Sequence, residues 1–306
     1  MINESIIKMH NDEVHTDENL VRRLLAAQFP QWKDLPIQPV SSSGTDNALY
    51  RLGENMVVRL PRIYWAVGQV EKEHKWMPRL ARYLPLAIPV PLEMGKPNEE
   101  YPWHWSIYRW LEGENLNHEN LINPNQTATV LAQFLIALQK IDIKDAPISA
   151  EHGSRGEPLI TRDEATREAI HSLSGKIDTT IVTEIWESAL RSSAWSYKPV
   201  WFHGDMLPGN LLFSNGRLSA VIDFGGAAVG DPACDLMIAW SLFTGDSRNI
   251  FRSMLGVDDA TWSRGRGHAL SQALIFIPYY LNTNPAGVKN AWHAINEVIA
   301  DYRADN

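Results

Sequence analysis

Between Trp201 and Trp240 the chain reads WFHGDMLPGNLLFSNGRLSAVIDFGGAAVGDPACDLMIAW, and no other stretch constrains it as much. His203-Gly204-Asp205 opens the run. Asn210 lies five residues after Asp205, and Asp223-Phe224-Gly225 begins eighteen residues after it. An acid, an amide and a second acid in this order suit phosphoryl transfer. One carboxylate can take the proton of a substrate hydroxyl. The amide oxygen and the other carboxylate can hold the magnesium ions that carry ATP's phosphates. Apolar residues fall in short blocks between these polar groups, so the run reads as short strands. Ser214-Asn215-Gly216 reads as the turn of a hairpin whose strand ends carry the chemistry.

The order and spacing resemble the catalytic loop and DFG segment of protein kinases. Gly204, where protein kinases carry Arg, narrows the resemblance. HGDxxxxN, then DFG, then Gly230-Asp231-Pro232-Ala233-Cys234-Asp235-Leu236 is similar to the aminoglycoside phosphotransferase family of small-molecule kinases. That resemblance implies an α+β, bilobal, protein-kinase-like fold, with a small β-rich N-lobe over 1–111 and a larger, mainly helical C-lobe over 112–306. It implies Asp205 as the catalytic base or orienting acid, and Asn210 and Asp223 as ligands of Mg²⁺, with ATP or GTP as donor. His203 then reads as a packed loop anchor. Asp231 and Asp235 read as structural acids capping a helix that starts near Pro232.

The family also implies a lysine on a strand near the α- and β-phosphates, paired with a glutamate on the next helix. The matching strand here, Met56-Val57-Val58-Arg59-Leu60, offers Arg59, whose planar fork differs from a lysine's point charge. Glu73 is the expected partner, with Glu71 as the alternative. The loop Ser42-Ser43-Gly44-Thr45-Asp46-Asn47 stands where phosphates would be covered, with Ser43 and Thr45 as candidate contacts. The backbone of Arg109 and Leu111, in the hinge Tyr108–Glu112, is the expected adenine contact.

The rest of the pattern agrees with two lobes. Leu20, Leu24 and Leu25 predict a helix over 17–28 capped by Thr16, broken afterwards by Pro30, Pro36 and Pro39. From Val40 the pattern reads strand, Gly-containing turn, strand, turn at Gly53-Glu54-Asn55 and strand to Arg62. A helix over 66–83 comes next, then a strand from Trp105 to Leu111. Beyond it, helical spacing recurs over 131–141, 161–173, 178–191, 232–244, 268–281 and 286–302, and 151–157 reads as a loop.

Composition excludes several classes. The 306 residues are 44% hydrophobic and 21% charged, as in ordinary globular proteins. A net charge of −8 argues against a nucleic-acid partner. Cys234 is the only cysteine, so neither an internal disulfide nor a CxxC zinc site is possible. No signal-peptide pattern opens the sequence and ALIFIPYYL is too short to span a bilayer, so the cytoplasm is the expected location, with no membrane and no obligate protein partner. No GxxxxGK[ST], HExxH or GxSxG occurs.

The acceptor is expected to be a small hydroxylated molecule, with an aminoglycoside as the leading candidate. The segment after Glu112 is rich in acids, among them Glu114, Glu119, Asp142, Glu157, Asp163, Glu164 and Glu168, and these suit a cation. A macrolide or small-alcohol kinase, a nucleotide-binding pseudokinase scaffold and a protein kinase are the alternatives. HGD and the lack of an APE-like segment after DFG disfavour the last.

Overall fold

Residues 13–40, 46–148 and 155–305 are described by the computed structural model, and the chain divides into two units. The first holds the residues up to Arg82 together with Ala87–Glu112; the second holds Tyr83–Leu86 and the chain from Gly113. Together they form the α+β, kinase-like architecture implied by the motif: an antiparallel sheet with helices, then a mainly helical unit.

In the first unit α1 (Glu18–Gln28) starts one residue later than expected. Its cap is Asp17, whose Oδ1 accepts the Leu20 N–H at 2.7 Å. Thr16 instead accepts the Tyr50 hydroxyl at 3.0 Å. Leu20, Val21, Leu24 and Leu25 are buried, each contributing about 1.5–3 kcal/mol relative to exposure. The prolines after α1 do not end regular structure. Strand β1 (Ile37–Pro39) pairs at the sheet edge with β2 (Asn47–Leu52), where a missing proline N–H is tolerated.

Strand β3 (Met56–Pro61) follows a turn at Gly53 and alternates so that Val58 and Leu60 face the core. Helix α2 (Gln69–Leu80) buries Val70, Glu73, Trp76 and Met77. Strands β4 (Pro91–Gly95) and β5 (Trp105–Arg109) complete a sheet of order β1-β2-β3-β5-β4. Strand β4 lies in a proline-rich stretch whose alternation is too short to read. Gly95 is needed where β4 crosses Trp105, because a Cβ there would meet the indole at 1.9 Å.

The second unit opens with β6 (Glu114–Asn115) and α3 (Pro124–Gln139), followed by α4 (Asp163–Ser172) and α5 (Thr179–Arg191). Strand β7 (Val200–Phe202) leads into the HGD loop. The hairpin β8 (Leu211–Ser214) and β9 (Arg217–Val221) follows, turning through Asn215 and Gly216, both at positive φ. Strand β10 (Ala228–Gly230) pairs with β7. Then come a 3₁₀ segment over Pro232–Met237, α6 (Ile238–Ser241), α7 (Gly245–Leu255), α8 (Asp259–Tyr280) and α9 (Pro285–Asp305).

Helix α8 begins nine residues before the sequence expectation. Gly265 and Gly267 disguise its first turns, since glycine is a poor helix former. Their place is steric: a Cβ at Gly265 would come within 2.6 Å of Leu236, and one at Gly267 within 2.7 Å of Ala189. Arg248, Arg266, Glu297, Asp301 and Asp305 join α7 and α8 to α9 through ion pairs. No helix among the described residues is long and apolar enough to cross a membrane.

Candidate active site

The HGD loop is built on a buried acid. Both Asp235 carboxylate oxygens accept backbone N–H groups, Oδ2 from His203 at 2.7 Å and Oδ1 from Gly204 at 2.8 Å. Burial holds its pKa above the usual carboxylate range, against the opposing pull of these bonds. Asp235 is therefore the acceptor beneath the loop and not a helix cap. Asp231 is the cap, with Oδ1 taking the Ala233 N–H at 3.0 Å. Gly204 sits at φ 85°, and a Cβ there would meet the Gly226 carbonyl oxygen at 2.6 Å. A side chain at this position is thus excluded by both conformation and space.

His203 ties the loop to the DFG segment. Its Nδ1 faces the Asp205 N–H at 3.2 Å, and its Nε2 faces the Ile222 carbonyl at 2.9 Å. A backbone N–H requires an acceptor and a carbonyl requires a donor, so the proton sits on Nε2. Both ring nitrogens are engaged and the residue is fully buried. Phe224 packs edge-on against the ring. This geometry makes His203 an anchor.

The hairpin then sets the three polar residues in order. Leu211 pairs with Val221, and the Ile222 N–H donates to the Asn210 carbonyl at 2.9 Å, placing Asn210 beside Ile222 and Asp223. Asn210 Nδ2 donates to the Asp205 carbonyl at 2.8 Å and to Asp205 Oδ2 at 2.9 Å. These bonds fix the amide orientation and leave Oδ1 as its outward end. Asp223 is in the left-handed region at φ 65°. Its carboxylate is exposed, where the apolar strand before it suggests burial.

Arg155, in the loop before α4, donates from Nη2 to Asp205 Oδ1 at 3.1 Å. Each Asp205 oxygen thus has one donor, and Arg155 is the one charged side chain bonded to it among the described residues. No sequence signal marks Arg155, because the loop has neither periodicity nor a motif.

In the first unit Arg59 and Glu73 meet. Arg59 Nη1 lies 2.8 Å from both Glu73 oxygens, and its Nη2 reaches Gln69 Oε1 at 3.3 Å. The Asn47 amide, turned to satisfy its neighbours, accepts from Arg59 Nη2 at 2.9 Å. The Tyr108 hydroxyl donates to Glu73 Oε2. Burial, then the Glu73 charge, push that phenol's pKa up. Tyr108 was expected in the hinge; it lies in β5 with its hydroxyl on this buried pair. Glu71, the alternative partner, pairs with His104.

The adenine expectation divides. The Arg109 N–H is committed to the Val90 carbonyl at 3.4 Å, so it does not serve as a donor for a base. The Leu111 backbone has no hydrogen-bond partner among the described residues. Ser43 and Thr45 lie outside the described residues.

The expected gathering of acids around Asp205 does not appear in its contacts. Glu112 pairs with Arg51, and Asp163 with Arg167 and the Trp186 indole. Glu164 and Glu168 are exposed on α4.

Asn210 Oδ1 and the Asp223 carboxylate are hard oxygen donors, and the backbone bond from Ile222 to Asn210 sets their two segments next to each other. No cluster of three or more His, Cys, Asp or Glu suited to a metal occurs among the described residues. Two protein oxygens with phosphate and water completing the shell is the arrangement Mg²⁺ favours, so the residues fit it.

A two-unit kinase-like fold with a His-Gly-Asp loop joined to a DFG turn defines a phosphotransferase. The chain belongs to the phosphotransferase enzyme family, whose model matches residues 37–268. No curated protein matches it. Solved structures share the fold. The GDP complex of wild-type aminoglycoside 2'-phosphotransferase-IIIa superposes with TM-score 0.73 at 17% identity, covering 94% of this chain and 100% of that one. The GDP and kanamycin complex of APH(2")-IIia gives TM-score 0.72 at 20% identity, covering 92% and 98%. A macrolide 2'-phosphotransferase from Brachybacterium faecium gives 0.57 at 23% identity, covering 90% and 98%.

Proposed function

We propose that this protein transfers the γ-phosphate of ATP or GTP, carried with magnesium, to a hydroxyl of a small molecule. The observation that carries this reading is the fixed Asp205 carboxylate, with Oδ1 on Arg155 and Oδ2 on Asn210. Each oxygen keeps a lone pair to orient the acceptor O–H and take its proton. As the acceptor oxygen bonds to the γ-phosphorus, the bond to the β-phosphate's bridging oxygen breaks, and the nucleoside diphosphate leaves. Most of the rate enhancement in such a transfer comes from position and charge. Asn210 and Asp223 would hold Mg²⁺, which when bound neutralises charge on the phosphates.

Arg59 is proposed to contact the donor phosphates while Glu73 fixes its fork. Its bonds to Gln69 and from Nε to Asn47, both 3.3 Å, are long enough to yield to a phosphate oxygen. The Leu111 backbone is the proposed adenine contact. In this reading the residues 1–111 serve the nucleotide, and 112–306 carry the chemistry and the acceptor.

An aminoglycoside acceptor is supported by the likeness to APH(2")-IIia, solved with kanamycin. The cation on Asp205 favours a second reading, a hydroxylated acceptor that is not polycationic. A coupled nucleoside-diphosphate-release screen over antibiotics, polyols and hydroxy acids separates the two. Release with kanamycin or gentamicin supports the first reading. Release confined to neutral or acidic alcohols supports the second.

A further inference from the structure

The buried arginines of the second unit are all paired with acids, and the half-buried Arg162 is not. Arg248 pairs with Glu297 and Asp301, Arg264 with Asp231, and Arg266 with Asp301 and Asp305. Arg162 is half-buried, yet its partners are neutral: Nε donates to Ser271 Oγ at 2.9 Å and Nη2 to Gln272 Oε1 at 3.2 Å. No carboxylate faces it among the described residues. Burial, then the neighbouring Arg155 charge, lower its pKa to about 10, so it is still a cation at neutral pH. A largely desolvated charge that no described acid faces is disfavoured unless something compensates.

Its location supplies the reason. Arg264, His268, Ser271 and Gln272 share one face of α8 at helical spacing, and Arg162 docks onto the far end of that face. At the near end Arg264 holds Asp231 at 2.7 Å, and the Asp231 N–H donates to the Gly156 carbonyl at 3.3 Å. Gly156 follows Arg155, whose guanidinium is on Asp205. Contacts therefore run from Asp205 through Arg155 and Gly156 to Asp231 and Arg264 on the α8 face that Arg162 also meets at Ser271, and the Arg155 charge acts directly on Arg162. The one other acid among these contacts, Asp231, is taken by Arg264.

We propose that Arg162 is the anion-binding residue of an acceptor subsite adjoining Asp205, so that the acceptor carries an oxyanion, a carboxylate or a phosphate monoester, beside its reactive hydroxyl. This rests on the phosphotransferase reading for what the anion is attached to. The guanidinium fork matches either oxyanion. The acceptor's charge would supply the counterion that no described residue provides, with Arg155 near both it and the Asp205 carboxylate.

The test is calorimetric titration of the full chain with glycerol 3-phosphate, glycerate and glycerol, alongside ADP release with Mg·ATP. Both anions should bind more tightly than glycerol, and more weakly as salt rises. Which anion binds better identifies the oxyanion. Arg162→Gln should weaken binding roughly tenfold or more, the loss expected for a charge-assisted contact. If that variant does not fold, Gln272→Glu is decisive. It supplies the counterion internally, so it should raise the melting temperature and abolish anion binding. Anions that bind no better than glycerol, or that bind Gln272→Glu as they bind wild type, would overturn the subsite. Turnover of a neutral or cationic alcohol without anion binding sinks the subsite and leaves the phosphotransferase reading standing. Anion binding that needs Arg162, with no alcohol supporting ADP release, does the reverse.

Discussion

Asn210 donates one amide nitrogen to both the carbonyl and the carboxylate of Asp205, at 2.8 and 2.9 Å. The amide that the motif assigns to metal binding thus also positions the acid that meets the acceptor. Asn210→Ala should therefore lower kcat as well as raise the magnesium requirement, whereas Asp223→Ala should act mainly on magnesium and nucleotide. Steady-state kinetics over a magnesium titration separates them. A purely magnesium-dependent defect in Asn210→Ala, rescued in full by excess metal, would contradict the shared role.

Gly204 is predicted to tolerate no side chain. Gly204→Ala introduces left-handed strain of about 1–3 kcal/mol and a contact with the Gly226 carbonyl. Gly175, at φ 80° with nothing near its Cβ position, is the control. Gly175→Ala should lose stability from strain alone and keep its turnover. Gly204→Ala should lose more of both in thermal unfolding and activity assays.

The Arg59–Glu73 pair should behave as a buried ion pair. Glu73→Gln leaves a buried guanidinium without its counterion and should cost about 3–5 kcal/mol. Replacing both, as Arg59→Met with Glu73→Leu, should recover much of that stability while the apparent KM for nucleotide stays high. Denaturant unfolding and nucleotide titration measure the two effects independently.

His268 should make the fold acid-sensitive. Burial, then the charges of Arg162, Arg155 and Arg264, lower its pKa from the ordinary 6.5 to about 3. A folded-state pKa below the unfolded value means the unfolded chain binds the proton first. The stability contribution is therefore complete above pH 6.5 and is lost as pH falls from there toward 3, at about 1.4 kcal/mol per pH unit. Unfolding free energies measured between pH 7 and 4 should show this slope, and His268→Gln should flatten it. An equal slope in the variant would assign the sensitivity to other groups.

Much of the site was legible because its residues are local. His203, Asp205, Asn210 and Asp223 fall within 21 residues joined by one hairpin, so their spacing carries the family resemblance that marks them. The Arg59–Glu73 pairing was legible through the family resemblance, which places a basic residue on the strand and a glutamate on the next helix. Arg155 and Arg162 were not, since their meaning depends on Asp205 and on an α8 face more than a hundred residues away. Asp235 was misread as a cap because GDPxxDL resembles a helix start, while its backbone partners lie 31 and 32 residues earlier. The start of α8 and strand β4 were hidden by glycines and prolines that tertiary packing accommodates.

The central claim, that Asp205 drives phosphate transfer to a small-molecule hydroxyl, is tested most directly with γ-³²P-labelled ATP and GTP. Wild type and Asp205→Asn are incubated with Mg²⁺ and a panel of small alcohols, and label is followed into product. The account predicts label on a small molecule with wild type and a rate roughly 10²–10⁴-fold lower for Asp205→Asn, with nucleotide affinity unchanged. Label appearing only on protein, or equal turnover by Asp205→Asn, would contradict it.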